Sequence, residues 1–549
     1  MIKILSIPLF LLLLVAPEIH LRAQTFYSYQ GPGVLRESFL LNNRSFCINP
    51  NQLSYLLIDS LMKVPRLSNQ KKLTIQPAAI SILKFSNSAY PSGINQGPLI
   101  PNVGDQYLIS MGIKLKWKDK IDISFAPEYQ FAENIPFRQY PTYNREWIPY
   151  YYFLNHIDNP ERFGETQLKK FYPGQSYIKV KVGKYTVGLS TENKWWGPAS
   201  FNPLVLGSNA AGFLHGTLAT SKPILTKIGT FEGEAIAGLL KGSGIVPREI
   251  YRINTNTQTG YFLYQPKKMH QRYITGMVYT YQPKWIPGLY VGLAKLSMMY
   301  SDEISNGFDL LPLEGFAGDK FTPAETSRRK ASMGSWFFRY VMPKENAEIY
   351  YEYGRSDQSL HVWNLFEKNP YGRGFTAGFR KGYFIGQKKG QQIQWGAELT
   401  NLSLPSKEQV QTPPASWYLH NYVRQGFTNR GKVLGAGIGP GSNSQTVYVQ
   451  WLKGLNKVGL RFNRVIHNLD FYHYQPYYLT DHFNQYWATV TGTLYGSLNW
   501  NKITLAAEYT RQRELNYNWE WERYNPNGFE NIGYDQFNLG ARLLLQYRF

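Results

Sequence analysis

Apolar and polar residues alternate along most of this chain, with the period of two that indicates β-strands facing two different environments. Between residues 106 and 126, apolar residues such as Ile109 and Ile113 alternate with polar ones such as Lys114, on both sides of a turn at 118–120. This segment is predicted to be a hairpin with one apolar and one charged face. The charged face must look onto solvent or into a wet lumen, because lysine is costly in lipid.

The same pattern recurs in three further hairpins, whose tight turns lie at 183–184, 454–457 and 499–502. Long polar and aromatic connections separate these turns and cover 132–173, 301–330, 403–445 and 510–533. Tight turns at one end and long loops at the other are typical of bacterial outer-membrane barrels. The end of the chain agrees, because every second residue from Phe537 to Phe549 is apolar, as expected of a closing amphipathic strand.

We therefore predict an all-β fold, an antiparallel transmembrane outer-membrane β-barrel, over residues 73–549. With strands of about ten residues, this length accommodates roughly 16–18 strands, and an even number is expected. The start of the first strand stays open, because 73–85 alternates but contains Pro77.

The N-terminus has a different pattern. Lys3 followed by an apolar run at 4–16 and a small residue at Ala23 predicts a signal peptide over 1–23. Residues 24–72 are predicted to form an N-terminal helical periplasmic segment, since apolar residues recur at helical spacing over 50–63, after a capping-type Asn49-Pro50. The chain is thus expected in the outer membrane of a Gram-negative bacterium, with its long loops at the cell surface.

The amino-acid composition narrows the range of expected binding partners. Aromatic residues make up 16% of the chain, and 59 Lys+Arg against 37 Asp+Glu give a formal net charge of +22. For an exported protein this charge favours anionic surfaces such as outer-membrane lipid or acidic polysaccharide, and nucleic acid is not expected. The amphipathic last strand makes the barrel assembly machinery a further expected partner. A single cysteine excludes an internal disulfide framework.

Catalytic patterns are weak. Glu348 and Glu352 are spaced to share one face of a strand, where paired carboxylates could serve a glycosidase. The preferred interpretation is a lumen-facing polar row matched to basic neighbours such as Arg355. The histidines follow no compact metal-binding spacing, and no nucleophile elbow is present. The protein is therefore not expected to be an enzyme, and no cofactor or metal is predicted.

Binding patterns are stronger, because flat aromatic side chains beside bases suit sugar rings that carry carboxylates. The candidate carbohydrate-binding residues are Lys194, Trp195, Trp196, Trp417, Tyr422, Arg424 and Arg430. The alternative interpretation of each cluster is an interfacial aromatic girdle with snorkelling bases. For the tandem Trp195-Trp196 a packing role also stays open.

Several segments together resemble the Wzi family of outer-membrane capsule assembly proteins: ENKWWGPASFNPLVLGSN at 192–209, YPSGINQGPLIPNVG at 90–104, FAPEYQFAEN at 125–134, RYITG at 272–276, AEIYYEYGRSD at 347–357 and YVRQGFTNRGKVLGAGIGPG at 422–441. Within the first, the most specific, Glu192, Gly197, Pro198 and Asn209 are the family-motif residues. The resemblance implies an 18-stranded barrel plugged at its periplasmic side by N-terminal helices.

The resemblance also implies a lectin-like role, in which the barrel binds and retains capsular or other surface polysaccharide without catalysis. A different function, an outer-membrane diffusion or polysaccharide-export channel, is favoured by the charged inner faces of the strands. A third reading, a barrel enzyme using Glu348 or Glu352, has only the spacing of the two carboxylates in its favour.

Overall fold

The structure, a computed structural model, describes residues 73–118, 120–140, 147–253, 260–305, 307–311, 329–356, 372–385, 391–405, 416–453, 456–474, 486–523 and 532–549. The predicted signal peptide at 1–23, the segment 24–72 and its helix at 50–63 lie outside these residues.

The described residues are mainly β-strands, as the alternating pattern predicts. The first half contains β1 (Leu73–Pro77), β2 (Ile80–Ser92), β3 (Asn102–Ser110), β4 (Ile113–Trp117), β5 (Ile121–Phe125), β6 (Glu128–Ala132), β7 (Leu168–Tyr172), β8 (Tyr177–Val182), β9 (Tyr185–Ser190), β10 (His215–Thr220), β11 (Ile224–Leu225), β12 (Gly229–Leu240) and β13 (Arg272–Pro283). The second half contains β14 (Leu289–Tyr300), β15 (Ala331–Met342), β16 (Ala347–Ser356), β17 (Arg373–Phe384), β18 (Gln391–Asn401), β19 (Thr428–Asn429), β20 (Lys432–Val433), β21 (Asn443–Lys453), β22 (Asn456–Ile466), β23 (Ala488–Trp500), β24 (Ile503–Leu515), β25 (Trp521–Arg523), β26 (Ile532–Gly533) and β27 (Gln536–Tyr547).

One large antiparallel sheet contains 23 of the described strands. Its first four long strands are each broken once, as β1 and β2, β3 and β4, β5 and β6, and β7 and β8, and the two halves of a broken strand pair with the same neighbour, so that β1 lies against β4 and β2 against β3. Pro127 and Pro173 lie at two of the breaks, where their missing amide donors interrupt the ladder. The last strand β27 pairs with both β24 and β2, which sets Tyr547 between Ile503 and Ile80.

The two faces of the sheet differ as the sequence pattern requires. In β22, Val458, Leu460 and Phe462 are exposed on the outer face, while the residues between them point to the other side, the inner face. In β27 the predicted alternation is confirmed, and Leu544, the one apolar residue out of phase, packs on the inner face in a cluster with Leu83 and Leu108. The outer face is thus an apolar band with few hydrogen-bonding side chains.

Within the described ranges, two short α-helices lie in long connections, α1 (Trp147–His156) and α2 (Leu469–Tyr474). Neither helix was predicted from the sequence. Helix α1 lacks the single apolar stripe of an amphipathic helix. Its Tyr151 and Phe153 are buried in the main core, and Phe153 packs edge-on against Phe471 of α2 at a centroid distance of 5.6 Å. Among the described residues, no helix is long and apolar enough to cross a membrane.

The main hydrophobic core lies on the inner face and is built largely by two inserted segments, residues 191–213 and 416–441, which are connections between strands. They contribute Trp196, Leu204, Val205, Leu206, Trp417, Tyr418, Phe427, Val433 and Leu434, which pack with strand residues such as Ile236, Ile274 and Phe337. Burial of this apolar surface, at about 25 cal/mol per Å², stabilises the inserted segments against the strands.

Buried glutamates on the strands bind the first inserted segment through its backbone. Glu398 of β18 accepts the backbone N–H groups of Ser200, Phe201 and Asn202, with distances of 2.6 Å to Ser200 and 2.8 Å to Asn202. It also accepts the hydroxyl of Tyr350 at 2.7 Å. Because three amides converge on one carboxylate, this turn of the segment is held with charge-assisted bonds.

A second glutamate explains the glycine after the tandem tryptophans. Glu352 of β16 accepts the Ser335 hydroxyl at 2.7 Å and the Leu204 amide at 3.4 Å. Gly197 has a φ of +89°, and a Cβ there would lie 2.7 Å from a Glu352 carboxylate oxygen. A side chain at position 197 would therefore be strained by both the backbone conformation and the close approach.

We expect Glu398→Gln to lower the free energy of unfolding by about 2–4 kcal/mol, since the amide removes the charge and turns a donor toward three backbone donors. The measurement is urea unfolding of the purified protein in detergent micelles, followed by tryptophan fluorescence. Glu345→Gln is the matched control, because Glu345 pairs with Lys381 on an exposed turn and its loss should cost under about 0.5 kcal/mol. Equal stability of both variants would contradict the proposed anchoring by Glu398.

Candidate functional site

The tandem tryptophans of the first inserted segment have different environments. Trp196 is fully buried, and its indole N–H donates to Glu234 at 3.2 Å. Lys194 forms an ion pair with the same Glu234 carboxylate. Trp195 is half-buried, donates to the Ala199 carbonyl at 3.1 Å, and lines a cavity on the inner face. In this structure Trp196 and Lys194 therefore hold the segment in place, and Trp195 alone of the three borders open space.

The four family-motif residues also connect the segment to its surroundings. Glu192 pairs with Lys179 of β8 at 2.5 Å, and Pro198 is buried beside Gly197. The Asn209 side chain accepts the Asn95 amide and donates to the Val433 carbonyl, both at 3.1 Å. The distinctive pattern of this stretch thus follows from its folding onto the inner face.

Trp417 of the second inserted segment is enclosed, and Arg430 is half-buried beside Tyr172. Trp417 is fully buried, and its indole lies so close to Gly354 and Gly374 that a Cβ on either would come within 3 Å of the ring. The guanidinium of Arg430 lies 4.9 Å from the ring centroid of Tyr172. Neither side chain lies with the exposed candidates of the same segment.

Tyr422 and Arg424 lie at the long-loop end of the sheet and form a cluster with Lys268, Glu303 and the buried Tyr300, which we call the tyrosine–lysine cluster; Tyr422 and Lys268 are its exposed members. The Tyr422 hydroxyl donates to Glu303 at 2.7 Å, and the Lys268 ammonium lies 4.7 Å from the Tyr300 ring centroid and 5.7 Å from that of Tyr422. The Arg424 amide donates to the Tyr300 hydroxyl at 3.2 Å. The cluster sets an exposed ring beside a cation and a carboxylate.

In this cluster, Glu303 stabilises the protonated forms of Lys268 and Tyr422. The hydrogen bond and charge of Glu303 raise the pKa of Lys268 above its ordinary value, and the same carboxylate raises the pKa of the Tyr422 phenol. The Lys268 ammonium therefore keeps its charge, and the phenol its proton, well into the alkaline range. The group can both donate and accept hydrogen bonds at neutral pH.

A second exposed aromatic group was missed by sequence reasoning. Residues 251–253 and 260–263 meet in a short β-bridge in which Ile253 lies opposite Phe262, and Tyr251, Tyr261 and Phe262 are at least half exposed. The rings of Tyr251 and Phe262 lie edge to face at 6.1 Å. The run YFLY at 261–264 was the available signal, since exposed aromatic residues in a long loop indicate a contact surface.

This aromatic bridge and the tyrosine–lysine cluster are connected through the end of α1. The Asn155 side chain donates to the Leu263 carbonyl at 2.9 Å, and Arg424 donates to the Asn155 carbonyl at 3.1 Å. Helix α1 thereby connects the two groups at the long-loop end through the buried Asn155 and Leu263. Its ring faces and flanking polar groups are suited to contacts with a polyhydroxylated ligand.

The carboxylates considered for catalysis are engaged in the interior. Glu348 accepts hydrogen bonds from Arg339 at 2.7 Å and from Arg380 at 2.5 Å, in keeping with a polar row matched to bases. Glu352 is fully buried against the first inserted segment. Over the described part of the chain, no group of three His, Cys, Asp or Glu side chains could hold a metal ion.

Comparisons with known proteins agree with this arrangement. A structure titled as Wzi, an outer-membrane protein involved in group 1 capsule assembly in Escherichia coli and a carbohydrate-binding β-barrel, is similar at a TM-score of 0.55 and 12% identity, covering 94% of this chain and 92% of that one. OccAB2 of Acinetobacter baumannii is similar at a TM-score of 0.38 and 11% identity, over 86% of this chain and 97% of that one. No curated protein matches the chain in sequence.

The likeness to the Escherichia coli protein shows the fold, an antiparallel β-barrel. The family is shown independently, because the model of the capsule assembly protein Wzi matches residues 84–517, most of the chain. The matched range includes both inserted segments and the surface at the long-loop end. The chain belongs to the Wzi family of capsule assembly proteins.

Proposed function

We propose that the protein is an outer-membrane barrel that binds and retains surface polysaccharide at its long-loop end, without catalysis. The observation that carries the proposal is the presence at that end of two groups with exposed aromatic rings, the tyrosine–lysine cluster and the aromatic bridge, which are connected through Asn155 of α1. The Escherichia coli relative, described as a carbohydrate-binding barrel, supports the same reading.

The barrel is proposed to be closed and to have 18 crossings. The 23 strands of the sheet reduce to 18 because four strands are broken once and β11 continues β10. Closure is supported by the pairing of β27 with β2 near the two ends of the described chain. A membrane setting is supported by the apolar outer face, which includes Leu460, Leu494 and Leu505. In this setting the long loops face the outside of the cell.

The chemistry of the long-loop surface supports a polysaccharide with acidic sugars. Exposed rings such as Tyr251 and Tyr422 offer flat apolar faces to the apolar faces of pyranose rings. Lys268 lies beside the Tyr422 ring and Arg252 follows Tyr251 in the chain. Lys268 pairs with Glu303 and Arg252 with Glu249, and the cations are proposed to share these hydrogen bonds with the carboxylates of an acidic sugar. The excess of basic residues in the chain favours the same partner.

Retention is favoured over a diffusion or export channel by the inserted segments. Trp196 and Trp417 are fully buried in a core that fills part of the inner space, and Glu352 and Glu398 bind the first of these segments. A folded core of this kind obstructs the passage of a polymer. The proposed barrel therefore acts as a surface receptor.

We expect the double variant Tyr251→Ala, Phe262→Ala to bind the host's surface polysaccharide about tenfold more weakly, because each exposed ring contributes roughly 0.5–1.5 kcal/mol. Binding of purified protein is measured at several salt concentrations, alongside the cell-associated polysaccharide of cells that carry the variant. Tyr185→Ala is the control, because Tyr185 is equally exposed but lies beside the tight turn at the opposite end. Unchanged binding and retention in the double variant would refute the proposed surface.

In planar-bilayer recordings we expect the unmodified protein to produce no steady large conductance, since the inserted segments occupy the inner space. The double variant Glu352→Gln, Glu398→Gln should produce frequent openings, because both carboxyl groups accept backbone hydrogen bonds from the first inserted segment. A steady large conductance from the unmodified protein would favour a channel instead.

A further inference from the structure

A cavity of about 390 Å³ lies between the inserted segments and the inner face of β2, β21, β22, β23, β24 and β27. The main core fills the space beside other strands, such as β12, β13 and β15, so, among the described residues, the cavity is a part of the inner space that the inserted segments leave open. Its volume is in the range of small-ligand sites in proteins. The surface proposed at the long-loop end does not include this cavity.

The cavity carries an excess of positive charge around one carboxylate. Glu508 of β24 lies 3.5 Å from Arg542 and 3.8 Å from Arg461, and Lys457 also lines the cavity. One glutamate therefore faces three cations in this part of the lining. The other lining carboxylate, Glu514, accepts hydrogen bonds from Trp487 and Thr489. An anionic group entering beside Glu508 would compensate the remaining charge.

Aromatic rings lie beside these cations. The guanidinium of Arg461 is 5.8 Å from the ring centroid of Phe201 and 5.6 Å from that of Tyr495. Phe201, on the first inserted segment, packs edge-on against Tyr448 of β21 at 5.9 Å. A ligand between the inserted segment and the strands would meet ring faces from both sides.

The strand wall that carries these cations also carries hydroxyl groups, and Thr493 is the direct cross-strand partner of Arg461. Thr446, Thr491, Thr493 and Thr510 line the cavity from adjacent strands. The Thr493 and Thr510 hydroxyls lie 3.3 Å apart, and Thr446 accepts a hydrogen bond from Asn463 at 2.6 Å. Rows of hydroxyls next to rings and guanidinium groups combine the contacts that a carboxylated sugar needs: apolar faces, hydroxyl partners and a charge partner.

We propose that this inner cavity is a second ligand site, which binds one hexuronate-sized acidic sugar unit with its carboxylate held by Arg461 and Arg542 beside Glu508, which contacts both. The proposal deepens the proposed function, on which it rests for the class of ligand, but it uses other residues. The lining extends from Thr489, at the long-loop end of β23, to Lys457, beside the tight turn between β21 and β22. It therefore reaches toward the end of the barrel opposite the tyrosine–lysine cluster.

The first test is isothermal titration of the unmodified full-length protein in detergent with glucuronate, glucose and inorganic phosphate. Glucuronate should bind at least tenfold more tightly than glucose, because only the former carries the charge, and more tightly than phosphate, because only a sugar meets the rings. Equal binding of glucuronate and glucose, equal binding of glucuronate and phosphate, or no binding of glucuronate would each overturn the proposal.

Two sets of variants should change the affinity for glucuronate in opposite directions. Arg461→Gln with Arg542→Gln should weaken glucuronate binding at least tenfold, whereas Glu508→Gln should tighten it several-fold by removing the competing carboxylate. A general loss of folding cannot produce the second result. Arg464→Gln is the control, because Arg464 of β22 is exposed on the outer face, where it donates to Gln445. Unchanged affinity in the double variant, or weaker binding in Glu508→Gln, would refute the assignment.

The two sites can be distinguished in the same set of proteins. Tyr251→Ala, Phe262→Ala tests polymer retention at the surface and leaves the inner lining unchanged. If that variant retains polysaccharide while glucuronate binding depends on Arg461 and Arg542, the surface proposal fails and the inner site stands. If the surface variant loses polymer while glucuronate does not bind to any of the proteins, the inner site fails alone.

Discussion

The backbone of the first inserted segment depends on carboxylates that the strands carry inward. Glu398 collects three consecutive amides, Glu352 occupies the space that a side chain at Gly197 would need, and Glu234 receives both Lys194 and the Trp196 indole. A loop folded into a protein interior has amides that must find partners, and unpaired ones cost free energy. The buried carboxylates satisfy this requirement, and their own burial is compensated by the same bonds.

This arrangement divides the inner space into two regions with different physical character. Beside β12 to β15 the inserted segments bury apolar side chains such as Leu204 and Val205 and form a dry core. Beside β21 to β24 they leave a polar cavity lined by threonines and arginines. The sequence carries the same division, since the inner positions of β13 include Ile274 and Val278, whereas those of β22 include Lys457 and Arg461.

The fold was predictable because apolar outward-facing residues alternate with polar inward-facing ones along a barrel strand. Val458, Leu460 and Phe462 follow this alternation. The inserted segments follow no period, so the burial of Trp196 and Trp417 could not be inferred from their type alone. An aromatic residue in a long connection can pack inward or present its face, and the choice depends on distant partners such as Gly354 and Glu234. Tyr422, which lies in the same long connection as Trp417, is exposed. Helix α1 could not be predicted either, because it is enclosed by other connections and therefore has no amphipathic stripe.

The contact between Glu398 and residues 200–202 is made to main-chain atoms, so it is indifferent to the side chains at these positions. Phe201 is held by its amide while its ring faces the cavity. Position 201 can therefore change its side chain without loosening the segment that carries it. A scaffold that separates anchoring from recognition in this way allows the lining to diversify from one surface glycan to another while the barrel stays the same.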